Sequence, residues 1–239
     1  MSADLNSTPD DDETPRGLYR PYAVSLESAV METRKFAEKN PAYLPGQPCY
    51  FVDVTDLAPD LRFDQHMAGI KDNAFVRMHG VALRPDFTVD FPPSPFPVAV
   101  EQEATIARSL RGEGCGVWAP VLDAPETFSV YVIHLDEAVA KDRRFRAANP
   151  LVFPSRPSRS SRPSRPLCVY VGATGLSPEQ RFENHKSGHK ANWYARKFGE
   201  SLLPELFAHL NPMTHQRALA TEITLADELR QEGFAVWQN

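Results

Sequence analysis

The sequence VYVGATGLSPEQRFENHKSG, residues 169–188, begins as an apolar run and continues as a helix-forming segment. The run CVYVGAT at 168–174 predicts a buried strand, because β-branched and aromatic side chains favour strands. Ser177 followed by Pro178 predicts the start of a helix, since serine caps helix N-termini and proline is favoured at the first helical position. We expect the helix to end near Gly188, because glycine commonly terminates helices.

A second stretch, YFVDVTDLAPDLRFDQHMAG at 50–69, has the same layout and belongs to a long internal repeat. A shift of 119 aligns 49–118 with 168–237 without a gap and gives 26 identities in 70 positions, too many for chance. Upstream, a shift of 109 aligns 22–41 with 131–150, so the second copy carries an insertion of 10 residues. A repeat of this length predicts a duplicated domain, because solenoid repeats run to only about 20–50 residues.

The repeat defines the domain organisation. We expect two units, 20–118 and 129–239, joined by a proline-containing linker at 119–128. The acidic segment 1–19 has no apolar core of a signal peptide and predicts a disordered tail. The insertion, 154–166, is rich in Arg, Pro and Ser, which is typical of a flexible segment.

Each unit alternates strand and helix patterns, which predicts an α/β fold with a small, mostly antiparallel sheet flanked by helices. In the second unit, SVYVIHL at 129–135 and FAVW at 234–237 have the composition of strands. Helices are predicted at 136–149, around 191–197 and over 214–232, the last of them long and amphipathic.

Composition bounds the class of protein. The hydrophobic content of 42% is ample for a core, and no apolar run approaches the roughly 18 residues of a membrane helix. The three cysteines, Cys49, Cys115 and Cys168, have no metal-binding spacing, which predicts buried thiols in a reducing compartment. We therefore expect a cytoplasmic protein with no membrane partner. The net charge of −5 argues against indiscriminate coating of nucleic acid but allows a local basic site.

The second unit contains the side chains that phosphodiester hydrolysis needs. Arg181 and His185 are four apart and share one helix face, where a guanidinium can stabilise phosphoryl charge and an imidazole can move a proton. Glu222 lies among Ala, Leu and Ile and needs a cation or metal if buried. Tyr131 and Tyr170 supply phenols from two strands. Structural roles also fit these residues: a solvated helix face, a Glu222–Arg181 ion pair and core aromatics.

The ordered set resembles the GIY-YIG nuclease superfamily over most of 129–237. In that family, strands ending Gly-Ile-Tyr and Tyr-Ile-Gly precede a helix with a catalytic arginine, and a later helix carries a metal-binding glutamate. The resemblance implies that Tyr170, which begins a Tyr-Val-Gly run, is the second-motif tyrosine, and that Arg181 stabilises the transition state. It implies an auxiliary role for His185 on the same helix. It also makes Glu222 the ligand of Mg²⁺ or Mn²⁺, and Tyr131 the first-motif tyrosine often assigned as the general base.

Two departures from the family pattern lie in the second copy. The family joins its two motifs by a short loop, whereas 38 residues separate Tyr131 from Tyr170. The first-motif glycine is replaced by Ser129.

The first copy departs further. Phe51 stands where the second copy has Tyr170, and Asp53 stands where it has Gly172. The retained residues are Tyr22, Arg62, His66 and Glu103. We expect a degenerate, inactive copy that packs against the second as an intramolecular pseudo-dimer.

A basic segment precedes the strand that carries Tyr170. Between residues 143 and 166 there are seven arginines and no acidic residue, and basic groups gain affinity for nucleic acid by releasing counterions. The expected nucleic-acid contacts are Arg156, Arg159, Arg162, Arg165, Lys186 and Lys190. An idle, solvated linker fits the insertion equally well.

These patterns lead to one functional expectation and one alternative. The expectation is a metal-dependent endonuclease that hydrolyses nucleic acid, with DNA as the expected substrate, through the second unit. The alternative is a non-catalytic module that binds nucleic acid or protein on the same duplicated fold. Convergence of the five candidate residues in one place would favour the enzyme.

Overall fold

The computed structural model describes residues 17–154 and 166–238. These residues form two compact units that divide between Asp123 and Ala124. Each unit is an α/β structure with one four-stranded mixed sheet flanked by helices, which confirms the predicted fold class at this level. Most of the predicted N-terminal tail, and the arginines of the insertion, lie outside the described residues.

The first unit begins with β1 (Arg20–Leu26), and its main helix, α4, packs against β1, β2 and β4. The elements that follow β1 are α1 (Arg34–Glu38), β2 (Cys49–Thr55), α2 (Pro59–Met67), α3 (Ala74–His79), β3 (Gly80–Leu83), α4 (Phe96–Gly112), β4 (Gly116–Trp118) and α5 (Pro120–Asp123). Two 3-10 helices, Ser28–Glu32 and Pro85–Phe87, complete this unit as described.

The second unit repeats the order, and its main helix, α9, packs against β5, β6 and β8. Its elements are β5 (Ser129–Leu135), α6 (Arg143–Ala148), β6 (Cys168–Thr174), α7 (Pro178–Ser187), α8 (Trp193–Phe198), β7 (Gly199–Leu202), α9 (His215–Gln231) and β8 (Ala235–Trp237). Its 3-10 helices are Glu137–Lys141, Pro204–Leu206 and Ala208–Leu210.

The two sheets have the same topology. Their strand orders are β3-β1-β2-β4 and β7-β5-β6-β8. In each sheet two neighbouring pairs are antiparallel and the last, β2–β4 or β6–β8, is parallel. The prediction of mostly antiparallel sheets is therefore confirmed. Strands β5 and β6 pair over their full length, so the 38 residues that separate Tyr131 from Tyr170 do not disrupt the pairing.

Three local predictions need correction. The segment 136–149 is a 3-10 helix and then α6, because the Asp142 carboxylate caps α6 by accepting from the backbone N–H groups of Arg144 and Phe145. The edge strands β3 and β7 were not predicted, since four residues give no clear alternation. The predicted linker 119–128 begins with helix α5.

Two further observations concern the expected class of protein. All three cysteines are buried and form no disulfide, as their spacing predicted. Within the described ranges, no helix is both long and apolar enough to cross a membrane.

Candidate active site

The pairing of β5 with β6 brings the two tyrosines together. Tyr131 lies directly opposite Gly172, and Tyr170 lies diagonally across on the same face, so the two rings are 5.9 Å apart between centroids. Gly172 is not at a turn, because β6 continues to Thr174. A Cβ at position 172 would lie 2.7 Å from the Tyr131 hydroxyl, so the glycine makes room for that ring.

Helix α7 carries two further candidates, Arg181 and His185. The Ser177 hydroxyl caps the helix by accepting from the backbone N–H of Gln180 at 3.2 Å, and Gly188 ends it with a left-handed backbone, as the sequence predicted. His185 is fully buried, and its Nε2 lies 2.8 Å from the Tyr131 hydroxyl oxygen.

Hydrogen bonds fix the protonation of His185. Its Nδ1 accepts the backbone N–H of Asn192 at 3.0 Å, so the proton of the neutral ring lies on Nε2. Burial, followed by the charge of Arg181, lowers the pKa of His185 from 6.5 to about 4, which keeps the ring neutral at pH 7. The Nε2–H group therefore donates to the Tyr131 oxygen, an arrangement that favours the phenolate form of that tyrosine.

Three other candidates act on the same hydroxyl. Burial raises the pKa of Tyr131, while hydrogen bonding by the Tyr170 hydroxyl and by Arg181 lowers it, and the charge of Glu222 raises it. Burial and the neighbouring Tyr131 raise the pKa of Tyr170 further, so Tyr170 stays protonated and serves as a donor. All five candidates thus converge around the Tyr131 hydroxyl.

Glu222 lies on α9 and is half-buried, and its charge raises the pKa of both Tyr131 and Tyr170. Burial raises its pKa from 4.5 to about 7, and a hydrogen bond with the backbone N–H of Ala173 opposes part of that shift. A carboxylate held at this degree of burial gains most from a nearby cation.

Glu222 is the carboxylate among the five candidates that could bind the expected divalent cation. No group of three or more His, Cys, Asp or Glu side chains that could hold a metal occurs in the part of the chain that the structure describes. Mg²⁺, however, keeps several waters and binds through one or two carboxylates together with substrate phosphates. The half-buried Glu222 carboxylate is compatible with the single protein carboxylate of such a site for Mg²⁺ or Mn²⁺.

Arg181 lies at the exposed side of the cluster. Its Nη2 donates to the carbonyl oxygen of Lys190 at 3.1 Å, and Lys190 has a left-handed backbone with φ of 46°. The bonds to the Lys190 carbonyl and to the Tyr131 hydroxyl leave other donors of the guanidinium for a phosphate, because arginine carries five N–H groups.

The predicted nucleic-acid contacts have different environments. Lys190 is exposed. The ammonium group of Lys186 donates to the carbonyl oxygen of Gly199 at 2.6 Å, so this lysine also ties α7 to β7. Arg156, Arg159, Arg162 and Arg165 lie outside the described residues.

The first unit builds the same framework. The Tyr22 hydroxyl lies 2.7 Å from His66 Nε2, whose Nδ1 accepts the backbone N–H of Asn73 at 2.9 Å. Arg62 Nη2 donates to the carbonyl oxygen of Lys71 at 3.0 Å. These contacts match those of Tyr131, His185, Asn192, Arg181 and Lys190.

The first unit differs where the chemistry would occur. Phe51 supplies no hydroxyl, and the charge of Asp53 is the largest influence after burial that raises the pKa of Tyr22. Asp53 Oδ1 accepts the backbone N–H of Val54, which occupies the position of Ala173. Glu103 is completely buried, and its Oε1 accepts the backbone N–H of Val121 in α5 at 3.1 Å.

Asn73 and Asn192 were missed as positioning residues. Each uses its backbone N–H to fix the histidine, and each side chain caps the next helix. The repeat contained a signal, because the pattern Lys-x-Asn occurs at the same place in both copies.

No protein-family model, curated protein or solved structure matches this chain. The geometry of the cluster is therefore the basis for assigning a function.

Proposed function

We propose that the second unit is a GIY-YIG-type, metal-dependent endonuclease that hydrolyses phosphodiester bonds in nucleic acid. The observation that carries the proposal is the convergence of Tyr170, Arg181, His185 and Glu222 around the Tyr131 hydroxyl. The fold supports it as well, since two adjacent antiparallel strands supply the tyrosines and two later helices supply the arginine and the glutamate.

Tyr131 is the proposed general base. An unperturbed tyrosine has a pKa near 10, and burial raises it here, so the phenolate is scarce at pH 7. Donation from His185 Nε2–H and from the Tyr170 hydroxyl opposes part of this rise by stabilising the phenolate. The phenolate accepts a proton from water, the water oxygen bonds to phosphorus, and the bond from phosphorus to the leaving oxygen breaks.

Arg181 is the proposed electrostatic stabiliser. Its guanidinium is held at one end by the Lys190 carbonyl, which fixes the direction of the remaining N–H donors. A fixed donor of this kind stabilises the charge that develops on the phosphoryl oxygens. Glu222 would hold the cation, and a bound Mg²⁺ would supply Lewis-acid stabilisation of the leaving oxygen.

The first unit is proposed to lack this activity, and a non-catalytic module that binds nucleic acid or protein stays the alternative for the whole duplicated chain. Phe51 lacks the hydroxyl, Asp53 adds negative charge, and Glu103 bonds to α5 inside the unit. A pseudo-dimer of the two units, a cytoplasmic location and a preference for DNA stay predictions.

The test is a cleavage assay on plasmid DNA, single-stranded DNA and RNA with Mg²⁺ or Mn²⁺, comparing wild type with Glu222→Ala. We expect cleavage by wild type, its loss on chelation of the metal and its loss in the variant. Folded wild type that cleaves none of these substrates would contradict the proposal and favour a binding module.

A further inference from the structure

Trp193, at the start of α8, is unusually exposed for a tryptophan. Its relative exposure is 51%, whereas Trp118 of the first unit is 4% exposed. Tryptophan is highly buried on average, so an open indole on a short surface helix needs an explanation. Tyr194 and Phe198 contact the Trp193 ring in edge-on geometry and hold it in place.

A cation accompanies the exposed indole. The Lys197 ammonium lies 4.6 Å from the centroid of the Trp193 ring, and the side chain of Lys197 is itself exposed. Lys190 and Arg196 are also exposed on the same short stretch. An aromatic ring among cations is the combination that binds unpaired bases, because the ring stacks on a base while the cations attract the phosphates.

This surface adjoins the cluster around Tyr131. Lys190 accepts the bond from Arg181, and Asn192 donates to His185, so the residues just before Trp193 belong to the framework of the candidate site. Three residues span at most about 11 Å from Lys190 to Trp193. A base stacked on Trp193 would therefore belong to a nucleotide close to the phosphate that Arg181 faces.

The equivalent helix of the first unit lacks these features. Ala74 replaces the indole and Met78 replaces the Lys197 ammonium. Arg77, the counterpart of Arg196, forms an ion pair with Asp72 at 3.1 Å, and the second copy has alanine where Asp72 stands. The duplication thus contains one helix with an aromatic, cationic surface and one without it.

We propose that Trp193 and Lys197 form a stacking platform for an unpaired base of single-stranded nucleic acid. Its position next to the scissile phosphate rests on the proposed function, and it makes the substrate one with an unpaired segment beside the cleaved bond. Trp193 is then a residue that sets substrate specificity.

Binding without cleavage tests the platform. Labelled single-stranded DNA, single-stranded RNA and blunt duplex of one sequence are titrated with the full chain in EDTA. We expect Trp193→Ala to weaken single-strand binding about tenfold and to leave duplex binding unchanged. Trp193→Phe keeps a stacking ring and most of the affinity. Met78→Ala, on the equivalent helix of the first unit, is the control and is expected to change none of the affinities. Circular dichroism verifies that each variant is folded.

The outcomes separate the platform from the nuclease. Unchanged single-strand binding by Trp193→Ala, equal weakening for duplex, or no binding by wild type would overturn the platform. If Trp193→Ala selectively loses single-strand binding but wild type cleaves no substrate, the platform is supported and the proposed nuclease activity is contradicted. A comparison of the DNA and RNA strands tells which sugar the site accepts.

Discussion

The two units share a framework and differ in the chemistry it can support. Both hold a tyrosine against a buried histidine, and both tie an arginine to a backbone carbonyl. Residues retained in both copies therefore include some that the fold itself needs. Identity between the copies does not by itself distinguish a structural role from a catalytic one.

The glutamates show this most clearly, because Glu103 and Glu222 are equivalent in the repeat but lie in different environments. Glu222 is half-buried beside the tyrosines, and burial raises its pKa to about 7. Glu103 is completely buried and bonds to the backbone of α5. Helix α5, which follows β4, donates a backbone N–H to Glu103, so this carboxylate has a structural role as an acceptor.

Removal of the arginine should give the largest difference in cleavage rate between the two units. We expect Arg181→Ala to slow cleavage about 10³-fold, since a fixed donor to the phosphoryl oxygens is lost, and Arg62→Ala to leave the rate unchanged. Initial rates with saturating Mg²⁺ give both values. Equal losses in the two variants would mean that both units contribute to cleavage.

The tyrosine hydroxyls should give a smaller difference in rate. Tyr131→Phe removes the proposed base and is expected to slow cleavage about 10²-fold, whereas Tyr22→Phe keeps the wild-type rate. Each change leaves one buried histidine N–H without its acceptor, so each should cost about 1–3 kcal/mol in the free energy of unfolding. A wild-type rate for folded Tyr131→Phe would refute its role as the base.

Introduction of the first unit's aspartate at position 172 of the second unit should slow cleavage by a still smaller factor. In Gly172→Asp the new Cβ meets the Tyr131 hydroxyl at 2.7 Å, so the ring must move, and we expect about tenfold slower cleavage together with a loss of about 1–3 kcal/mol in stability. Gly112→Ala is the control, because a Cβ there has nothing within 4 Å. Unchanged activity in Gly172→Asp would mean that the ring's position is not critical.

The shared tyrosine–histidine pair should give the smallest effect, and an equal one in both units. Burial lowers the pKa of His66 and of His185 from 6.5 to about 4, so the unfolded chain binds protons first and stability is lost as pH falls below 6.5. Each histidine should cost about 1 kcal/mol between pH 7 and pH 5.5. The free energy of unfolding is measured with denaturant at pH 7 and at pH 5.5. Its decrease between the two should be about 1 kcal/mol smaller in His66→Gln than in wild type. An unchanged pH dependence would mean that the pKa of His66 is the same in the folded and the unfolded chain.

Much of this fold follows from local patterns. Strands β5 and β6, the cap at Ser177 and the end of α7 at Gly188 agree with the sequence, because each depends on neighbouring residues. The edge strands β3 and β7 depend on pairing with distant segments, so four residues gave no signal. The boundary at Asp142 between the 3-10 helix and α6 was not predicted, because the sequence 136–149 has the pattern of one continuous helix.

The candidate site was predictable in its members but not in its arrangement. The repeat and the resemblance named Tyr131, Arg181, His185 and Glu222 from the sequence. They could not reveal that Asn192 fixes the histidine tautomer, because that contact uses backbone atoms. Nor could they distinguish Glu222 from Glu103, since burial and bonding to α5 depend on tertiary packing.

The most direct test of the central claim compares the two glutamates by isosteric substitution. Metal-dependent cleavage is measured for wild type, Glu222→Gln and Glu103→Gln, with folding verified for each. We expect cleavage to fall at least 10²-fold in Glu222→Gln and to match wild type in Glu103→Gln. Cleavage that survives in Glu222→Gln, or that is lost in a folded Glu103→Gln, would contradict the division of roles between the two units.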